Sequence, residues 1–388
     1  MLVRALPFHR QGGLEYHTLD LAGALAKRGH TIVILTSVSA ASPPPGLPER
    51  ICIEYIPNAT PGNYSLSFFR NAEHELKRLD REHGFDIIHA QEFAGMFLRR
   101  HPGKLVVTIH GTMTTETPLW RFYFRRLSTR QRAEMVWRYK YRLLLQPWFR
   151  RMLKRVDRII VDSEFTRRQL LQINSEVQNK LSIVPLGIDP QRYAFAAPTQ
   201  AQAHSVPRIG ILGRVQKMKG LEVAVRAAKL LRCRGVLFEL QIAGSGDYAV
   251  GLQQLIGELG LQDVVQYVGA LEGGADLASF LSGLDLLVFP DLTQPAFGLV
   301  AIEAMHYEVP VVGARSGAIP EVVTDDVGWL YDPWSEAELA ATLQVALSDE
   351  SILKKKSEAA RARAQVFTAD AMAEQVESVY LSLKSEKG

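Results

Sequence analysis

The sequence predicts an α/β protein made of two doubly wound domains, each built on a parallel sheet. Short β-branched runs alternate with longer stretches of helical periodicity, which is typical of parallel strands joined by crossover helices. The alternation pauses near residue 194 and then begins again. At 388 residues the chain is also longer than one hydrophobic core usually supports, so two domains are expected.

The first domain is predicted from a helix and a series of apolar runs. The helix is expected from about Leu14 to Arg28, where apolar residues recur at helical spacing, and Gly29 is expected to end it in a left-handed conformation. Strands are expected in the short apolar runs at 31–36, 85–89, 105–110, 158–162 and 181–185.

The second domain follows a segment at 194–207 that is rich in Ala, Gln and Pro and is interpreted as a linker. The first domain is therefore placed at 1–195 and the second at 206–366. Strands buried on both faces are expected in RIGILG, FELQIAG, VVQYVG, LDLLVFP and VPVVGA. In two such domains, the loops after the strands are expected to face each other across a ligand-binding cleft.

Composition excludes several classes of protein. With 47% hydrophobic and 22% charged residues, the chain is too apolar for wholesale disorder. It has no apolar run of ~18 residues and no secretory leader, so a cytoplasmic location is expected. Cys52 and Cys233 are the only cysteines, which supports neither a disulfide framework nor structural zinc. A net charge of +4 gives no reason to expect nucleic-acid binding.

Two glycine-flanked segments are candidate anion sites. Gly12 and Gly13 precede the first helix, whose N-terminus offers N–H groups to an anion; a tight turn is the alternative. The pattern is not G-x-G-x-x-G, so no dinucleotide cofactor is indicated. Arg214 and Lys219 lie in GRVQKMKG, directly after a strand, where they could neutralise a diphosphate. Ordinary surface charge is the alternative.

A third candidate is the segment QPAFGLVAIEAM, at 294–305, which follows the strand LDLLVFP. A helix that begins near Gly298 would present N–H groups to an anion from Phe297, Gly298, Leu299 and Val300. Glu303 could accept hydrogen bonds from two ribose hydroxyls. Its alternative role is that of an acid in the first turn, stabilised by the helix dipole.

The ends of two strands in the first domain carry polar residues. His110 ends KLVVTIH and is a candidate contact for a sugar hydroxyl or a carbonyl; a buried structural histidine is the alternative. Asp162 and Ser163 precede a predicted helix and are interpreted as its cap, with no part in chemistry.

Taken in order, these segments resemble the retaining glycosyltransferases of family 4, which have the GT-B fold. The resemblance rests on Gly12 and Gly13, VVTIHG, VDSEFTRRQL, VPLGID, GRVQKMKG, IAGSGD, YVGAL, FGLVAIEAM and VPVVGARSGAIPEVVTDDVGWLYDP. It implies that the second domain binds a sugar nucleotide and the first an acceptor. It also implies that a final helix, within about 367–388, crosses back to the first domain.

The resemblance assigns roles to the candidate residues. It implies that Arg214 and Lys219 hold the donor diphosphate, that His110 contacts the donor sugar and that Glu303 binds the ribose. The backbone at 297–300 would bind phosphate and sugar, and the loop of Gly12 and Gly13 would close over the phosphate. The donor would be a UDP- or GDP-sugar. Because cations and a helix N-terminus stabilise the leaving group, no metal or other cofactor is expected.

One position departs from the family. A second glutamate usually stands eight residues before the position of Glu303, and here that residue is Pro295. The neighbouring Gln294 could bind the donor sugar instead. Three functions therefore stay open. The first is a retaining hexosyltransferase acting on a glycan, lipid-linked or small acceptor; the second is a non-catalytic sugar-nucleotide-binding or scaffold protein; the third is a sugar-nucleotide epimerase or hydrolase.

The segment 117–158 interleaves Arg and Lys with Trp, Tyr and Phe, and its only acids are Glu134 and Asp157. This pattern suits an amphipathic element that lies on an anionic membrane, here the inner face of the cell membrane. The alternatives are a solvated helix pair packed on the first domain, a site for an anionic glycan acceptor and, less favoured, an RNA site.

Overall fold

The computed structural model describes residues 1–9, 12–39, 47–99, 103–112, 129–193, 206–272 and 274–385. Most of the predicted linker, 194–205, and the start of the basic segment, 117–128, lie outside these residues. The chain divides into two compact units. The first contains the described residues up to Gly187 and the chain from Ala369 onward, and the second contains Ile188–Thr368.

The first unit alternates strands with helices. Its helices are α1 (Gly13–Lys27), α2 (Leu66–His83), α3 (Thr129–Arg155), α4 (Glu164–Ile173) and the last helix of the chain, α12 (Ala369–Ser385). Its strands are β1 (Ile32–Ser37), β2 (Ile51–Ile56), β3 (Ile87–Gln91), β4 (Lys104–Ile109), β5 (Arg158–Val161) and β6 (Leu181–Ile183).

Two parallel ladders, joined by the amino terminus, make the sheet of the first unit. β1 pairs with β2, and β3 to β6 pair in sequence order. Leu2 forms parallel bridges to Leu35 in β1 and to Ala90 in β3, so residues 1–3 lie between the ladders. The order of strands therefore reverses between residues 1–3 and β3, as in a doubly wound sheet.

The second unit contains one six-stranded parallel sheet. Its elements are β7 (Arg208–Leu212), α5 (Leu221–Cys233), β8 (Glu239–Ala243), α6 (Ala249–Glu258), β9 (Val265–Gly269), α7 (Gly274–Ser282), β10 (Leu286–Phe289), α8 (Leu299–His306), β11 (Val311–Ala314), α9 (Ile319–Val322), β12 (Gly328–Tyr331), α10 (Glu336–Ser348) and α11 (Glu350–Ala364). The strand order is β12-β11-β10-β7-β8-β9. This order reverses between β7 and β10, the central pair.

The predicted fold class, two parallel-sheet α/β domains, is confirmed. Every strand predicted from the sequence is present within a few residues, and β2 and β12 are strands that the sequence did not predict. The first helix ends as expected. Gly29 has φ +98°, and the N–H of His30 donates to the carbonyl of Leu25 at 3.2 Å, which is the hydrogen bond of a Schellman motif.

The expected return of the final helix to the first domain is also confirmed. Helix α12 belongs to the first unit and packs against α1. The hydroxyl of Tyr380 lies 2.6 Å from Nδ1 of His89 in β3, within the buried interior. Arg28, at the end of α1, donates to the carboxylate of Glu377 at 2.8 Å. Apolar side chains such as Leu383 are fully buried beneath the helix.

Candidate functional site

The strand reversal in the second unit brings two predicted sites together. Arg214 and Lys219 follow β7, and the segment 294–303 follows β10, the strand beside it. The loops after these strands are joined by a hydrogen bond from the N–H of Leu292 to the carbonyl of Met218, at 3.2 Å. In open parallel sheets, ligands bind at the carboxyl edge where the strand order reverses.

A glycine holds the two loops in direct backbone contact. Gly220 has φ +72°, and a Cβ atom built on it would lie 1.8 Å from the carbonyl oxygen of Pro290. A comparable contact joins the loops after β7 and β8, where a Cβ atom on Gly244 would lie 1.8 Å from the carbonyl oxygen of Gly213. Since real Cβ atoms do not approach backbone so closely, no larger residue fits at either position. The segment IAGSGD, which contains Gly244, therefore also supports the loop of Arg214.

The two predicted cations of the second unit differ in their surroundings. Arg214 is exposed to solvent. Lys219 is half-buried, and its ammonium group forms an ion pair with Oδ2 of Asp291, just after β10. Asp291 is only 4% exposed, and its Oδ1 accepts hydrogen bonds from the N–H and the hydroxyl of Thr293, at 2.9 and 2.6 Å. The sequence did not single out Asp291.

Helix α8 begins at Leu299, which confirms the helix start expected near Gly298. Gly298 has φ +134° and, as the residue before the helix, carries no side chain that could compete with an anion for the first N–H groups. The first turn contains no acid. Glu303 is therefore in the second turn, and its alternative role as a first-turn acid is excluded. Burial, and then the charge of Glu303, raise the pKa of Tyr307 to about 12.

Pro295, the position at which the sequence departs from the family, lies in a loop held by hydrogen bonds to its main-chain carbonyls. The carbonyl of Pro295 accepts a hydrogen bond from the N–H of Ala318 at 2.8 Å. Ser316 donates from its hydroxyl to the carbonyl of Thr293 at 2.7 Å. Gln294 is half-buried beside Pro295. Because both acceptors on this loop are main-chain carbonyls, the loop can keep this path with proline in place of glutamate. The buried Phe297 packs on Phe367, with ring centroids 5.6 Å apart.

In the first unit, an acidic side chain lies at the predicted anion site of α1. Gly12 precedes the helix and Gly13 begins it. A Cβ atom on Gly12 would lie 2.4 Å from Oε2 of Glu15, so glycine leaves room for this carboxylate in the first turn. Glu15 is 3% exposed, and its Oε1 has no hydrogen-bond partner among the described residues. A carboxylate there is stabilised by the positive end of the helix dipole.

His110 lies between two hydrogen-bond acceptors at the carboxyl edge of the first sheet. Its Nδ1 is 2.8 Å from Oδ2 of Asp162, which follows β5, and its Nε2 is 3.0 Å from Oε1 of Gln91, which ends β3. With the Gln91 amide in this orientation, both ring nitrogens donate, which requires the imidazolium form. Burial alone would lower the pKa of His110, but the charge of Asp162 and its hydrogen bond outweigh burial and raise it.

A second histidine packs edge-on against the first. His17, in α1, is 3% exposed, and its ring centroid lies 4.7 Å from that of His110 at an interplanar angle of 75°. Neither of its ring nitrogens has a hydrogen-bond partner within the described part of the chain. Burial, and then the charges of His110 and His89, hold its pKa well below the usual range. A neutral ring therefore packs against a charged one.

The interpretation of Asp162 as part of a helix cap is wrong, whereas that of Ser163 is confirmed. The hydroxyl of Ser163 accepts the N–H of Thr166 at 3.1 Å and caps α4. The carboxylate of Asp162 points to His110 instead. The sequence contained a signal for this cluster, because Gln91, His110 and Asp162 each end or directly follow a strand of one parallel sheet.

Helix α3 contains most of the described part of the basic aromatic segment. Its apolar side chains Phe149, Met152 and Leu153 are fully buried in the core of the first unit, as the packed-helix alternative requires. On the outer side, Leu144 is 73% and Trp148 is 44% exposed. Arg150 and Arg151 are exposed beside them, with the Arg151 guanidinium 5.0 Å from the centre of the Trp148 ring. Within the described ranges, no helix combines the length and apolar character needed to span a bilayer.

Comparison with known proteins covers almost the whole chain. The family model described as Glycosyltransferase Family 4 matches residues 11–192, and the one described as Glycosyl transferases group 1 matches residues 198–364. A D-inositol 3-phosphate glycosyltransferase from Arthrobacter sp. (strain FB24) is 28% identical over 92% of this chain and 86% of that protein.

Two solved structures are similar along the full length. Sucrose-phosphate synthase from Thermosynechococcus elongatus has a TM-score of 0.79 at 22% identity and covers 99% of this chain and 96% of its own. Anabaena HepE, solved in complex with UDP and glucose, has a TM-score of 0.70 at 20% identity, with 98% of each chain covered. The chain thus belongs to the group 1 glycosyltransferases of family 4, and its two parallel-sheet domains have the GT-B fold.

Proposed function

We propose that this protein is a retaining hexosyltransferase whose donor is a UDP- or GDP-sugar. The observation that carries the proposal is the contact between the loops after β7 and β10, which brings Lys219 beside the segment leading to the N-terminus of α8. A cation and an uncapped helix start at a strand reversal suit a bound diphosphate. The acceptor would be a hydroxyl of a glycan, a lipid-linked sugar or a small molecule.

The reaction is an exchange of one C–O bond for another. The bond from the anomeric carbon to the nucleoside diphosphate breaks, and the acceptor oxygen bonds to that carbon from the same face. The acceptor proton passes to an oxygen of the departing phosphate. The charge that develops on the leaving group would be stabilised by Arg214, Lys219 and the first N–H groups of α8, so no metal ion or other cofactor is part of the proposal.

Two further residues have proposed contacts with the donor. Glu303 is half-buried on the second turn of α8, and its carboxylate would accept hydrogen bonds from both ribose hydroxyls. His110 would donate from its charged ring to a hydroxyl of the donor sugar, once Gln91 gives up the hydrogen bond at Nε2. The charge of Asp162 at the other nitrogen would keep that ring protonated.

The alternatives from the sequence predict different outcomes in one assay. We would follow the loss of UDP-, GDP- and ADP-sugars and the release of nucleoside diphosphate by mass spectrometry, with and without a pool of glycan and lipid acceptors. Acceptor-dependent release, with a product heavier by one hexose, supports the transferase. Acceptor-independent consumption identifies a hydrolase, and a new donor isomer identifies an epimerase.

The same assay tests the finer parts of the proposal. The configuration at the anomeric carbon of the product, read by NMR, must match that of the donor if the enzyme retains it. Turnover that is unchanged by EDTA supports a reaction without a divalent metal. Nucleotide binding with no consumption of any donor would favour the non-catalytic reading, for which Pro295 is the sequence argument.

We further propose that the exposed side of α3 contacts an anionic membrane, where the acceptor would be presented. The exposed Leu144 and Trp148 could enter the interface while Arg150 and Arg151 approach the lipid phosphates. Each cation near such a surface contributes about 1 kcal/mol. Replacing both arginines by Ser should therefore weaken binding to phosphatidylglycerol vesicles at least about 10-fold.

A matched control removes the same charge elsewhere. Lys354 and Lys355 are exposed on α11, and replacing them by Ser changes the net charge equally. This control should sediment with the vesicles as the unchanged protein does. Equal binding by both double variants would refute a specific role for α3.

A further inference from the structure

We propose that Asp291 is an internal counter-ion that competes with the donor diphosphate for Lys219, and so weakens the hold of the site on the nucleoside diphosphate product. The inference rests on the proposed function, because it takes Lys219 as a ligand of that diphosphate. It concerns a residue just after β10 that neither the sequence motifs nor the proposed donor contacts include.

The carboxylate is fixed in place. Asp291 is 4% exposed, and Oδ1 is held by two hydrogen bonds from Thr293, at 2.9 and 2.6 Å. The remaining oxygen, Oδ2, faces the ammonium group of Lys219. A buried carboxylate that moved away would give up its hydrogen bonds and leave their donors without a partner, which costs free energy. A bound ligand therefore cannot displace Asp291 easily.

The lysine is held less tightly than the acid. The side chain of Lys219 is 24% exposed, against 5% for that of Asp291. Its ammonium group is also carried on a flexible aliphatic chain. The main chains of the two loops are also fixed to each other, at Gly220 and Pro290 and between Leu292 and Met218. Because the two main chains are fixed to each other, Lys219 and Asp291 stay close enough to form the ion pair. A bound diphosphate must therefore share the ammonium group with Asp291 or take it away.

This arrangement has a functional consequence. A negative charge beside the diphosphate position opposes the charge of the ligand, and the opposition grows with the number of phosphates. A transferase whose product keeps the diphosphate must release it before the next turnover. By taking back Lys219, Asp291 would promote that release at the cost of donor affinity.

The test compares nucleotides that differ only in phosphate charge. We would measure binding of UDP, UMP and uridine, and of the guanosine series, to the unchanged protein and to Asp291→Asn by calorimetry. Asn keeps an oxygen for Thr293 but removes the charge. We expect about 10-fold tighter binding of the nucleoside diphosphate, a smaller gain for the monophosphate and none for the nucleoside. In the variant, the affinity should also fall more steeply with added salt.

Two comparisons isolate the inference. Thr293→Val removes one hydrogen bond to the carboxylate but keeps its charge, so it should not produce the phosphate-dependent gain. Equal or weaker diphosphate binding by Asp291→Asn would overturn the counter-ion role, because an acid that only orients Lys219 gives that result. If the unchanged protein binds none of the nucleoside diphosphates, the proposed function fails and this inference fails with it. If the unchanged protein binds the nucleoside diphosphate and Asp291→Asn binds it no more tightly, only this inference is refuted and the proposed function stands.

Discussion

Replacing Gly220 by Ala should damage both the stability and the nucleotide site of the second unit, and Gly235 offers a matched control. The two glycines flank the same helix, α5, and have nearly equal φ angles, +72° and +74°. A Cβ atom on Gly235 meets no atom within 4 Å, whereas one on Gly220 would lie 1.8 Å from the carbonyl oxygen of Pro290. The pair therefore separates backbone strain from steric overlap.

The expected losses in the free energy of unfolding follow from backbone strain and steric overlap. A non-glycine residue in the left-handed region costs about 1–2 kcal/mol, and loss of freedom in the unfolded chain returns about 0.4–1 kcal/mol. Gly235→Ala should thus reduce the free energy of unfolding by roughly 1 kcal/mol. Gly220→Ala must in addition push two main chains apart, and overpacking of this kind costs about 1–3 kcal/mol more.

Urea denaturation of both variants measures the difference, and nucleotide binding measures the effect on the site. Separation of the loops after β7 and β10 would move Lys219 away from the start of α8, so the affinity for the nucleoside diphosphate should fall in Gly220→Ala and stay unchanged in Gly235→Ala. Equal losses of stability in the two variants, with equal binding, would refute the argument that Gly220 holds the loops together.

Two further predictions concern single charges. Arg214→Ala should lower turnover about 10²-fold or more without lowering the melting temperature, because Arg214 is exposed; near-normal turnover would contradict its role at the diphosphate. Asp162→Asn should lower the pKa of His110, read by NMR titration of the ring, because it removes the charge that raises that pKa. In the unchanged protein, the stabilisation from this raised pKa is complete below the ordinary value of 6.5 and is lost as pH rises through the raised value. Denaturation across this range should therefore show a weaker pH dependence in Asp162→Asn.

The parts of the fold that the sequence predicted are those with a local signal. Strands such as β10 and β11 are buried on both faces and are apolar throughout. β2 mixes Cys52 and Glu54 with apolar residues because it lies at an edge of the sheet and pairs only with β1 among the described strands. The short edge strand β12 has the sequence GWLY, without a β-branched residue. Both were missed because edge strands do not need a continuous apolar run.

The candidate site was predicted only where one continuous segment carries it. The cations after β7 and the helix start at Gly298 each belong to a continuous motif. The partners of His110 do not, since Gln91 and Asp162 are 19 and 52 residues away in sequence, and only the register of the parallel strands brings them together. Asp291 was missed for the same reason. Its partner, Lys219, is 72 residues away.

The placement of α12 has a consequence for how the protein is made. In sequence, residues 188–368 of the second unit separate the two parts of the first unit, which lie before Ile188 and from Ala369 onward. During translation, the whole second unit leaves the ribosome before the residues that complete the first one. At about 5–20 residues per second, the partly built first unit waits tens of seconds or less with the α12-facing side of α1 uncovered. During that interval, a chaperone could bind the exposed side of α1. We therefore expect a nascent chain stalled near residue 368 to bind chaperone more strongly than the complete chain does.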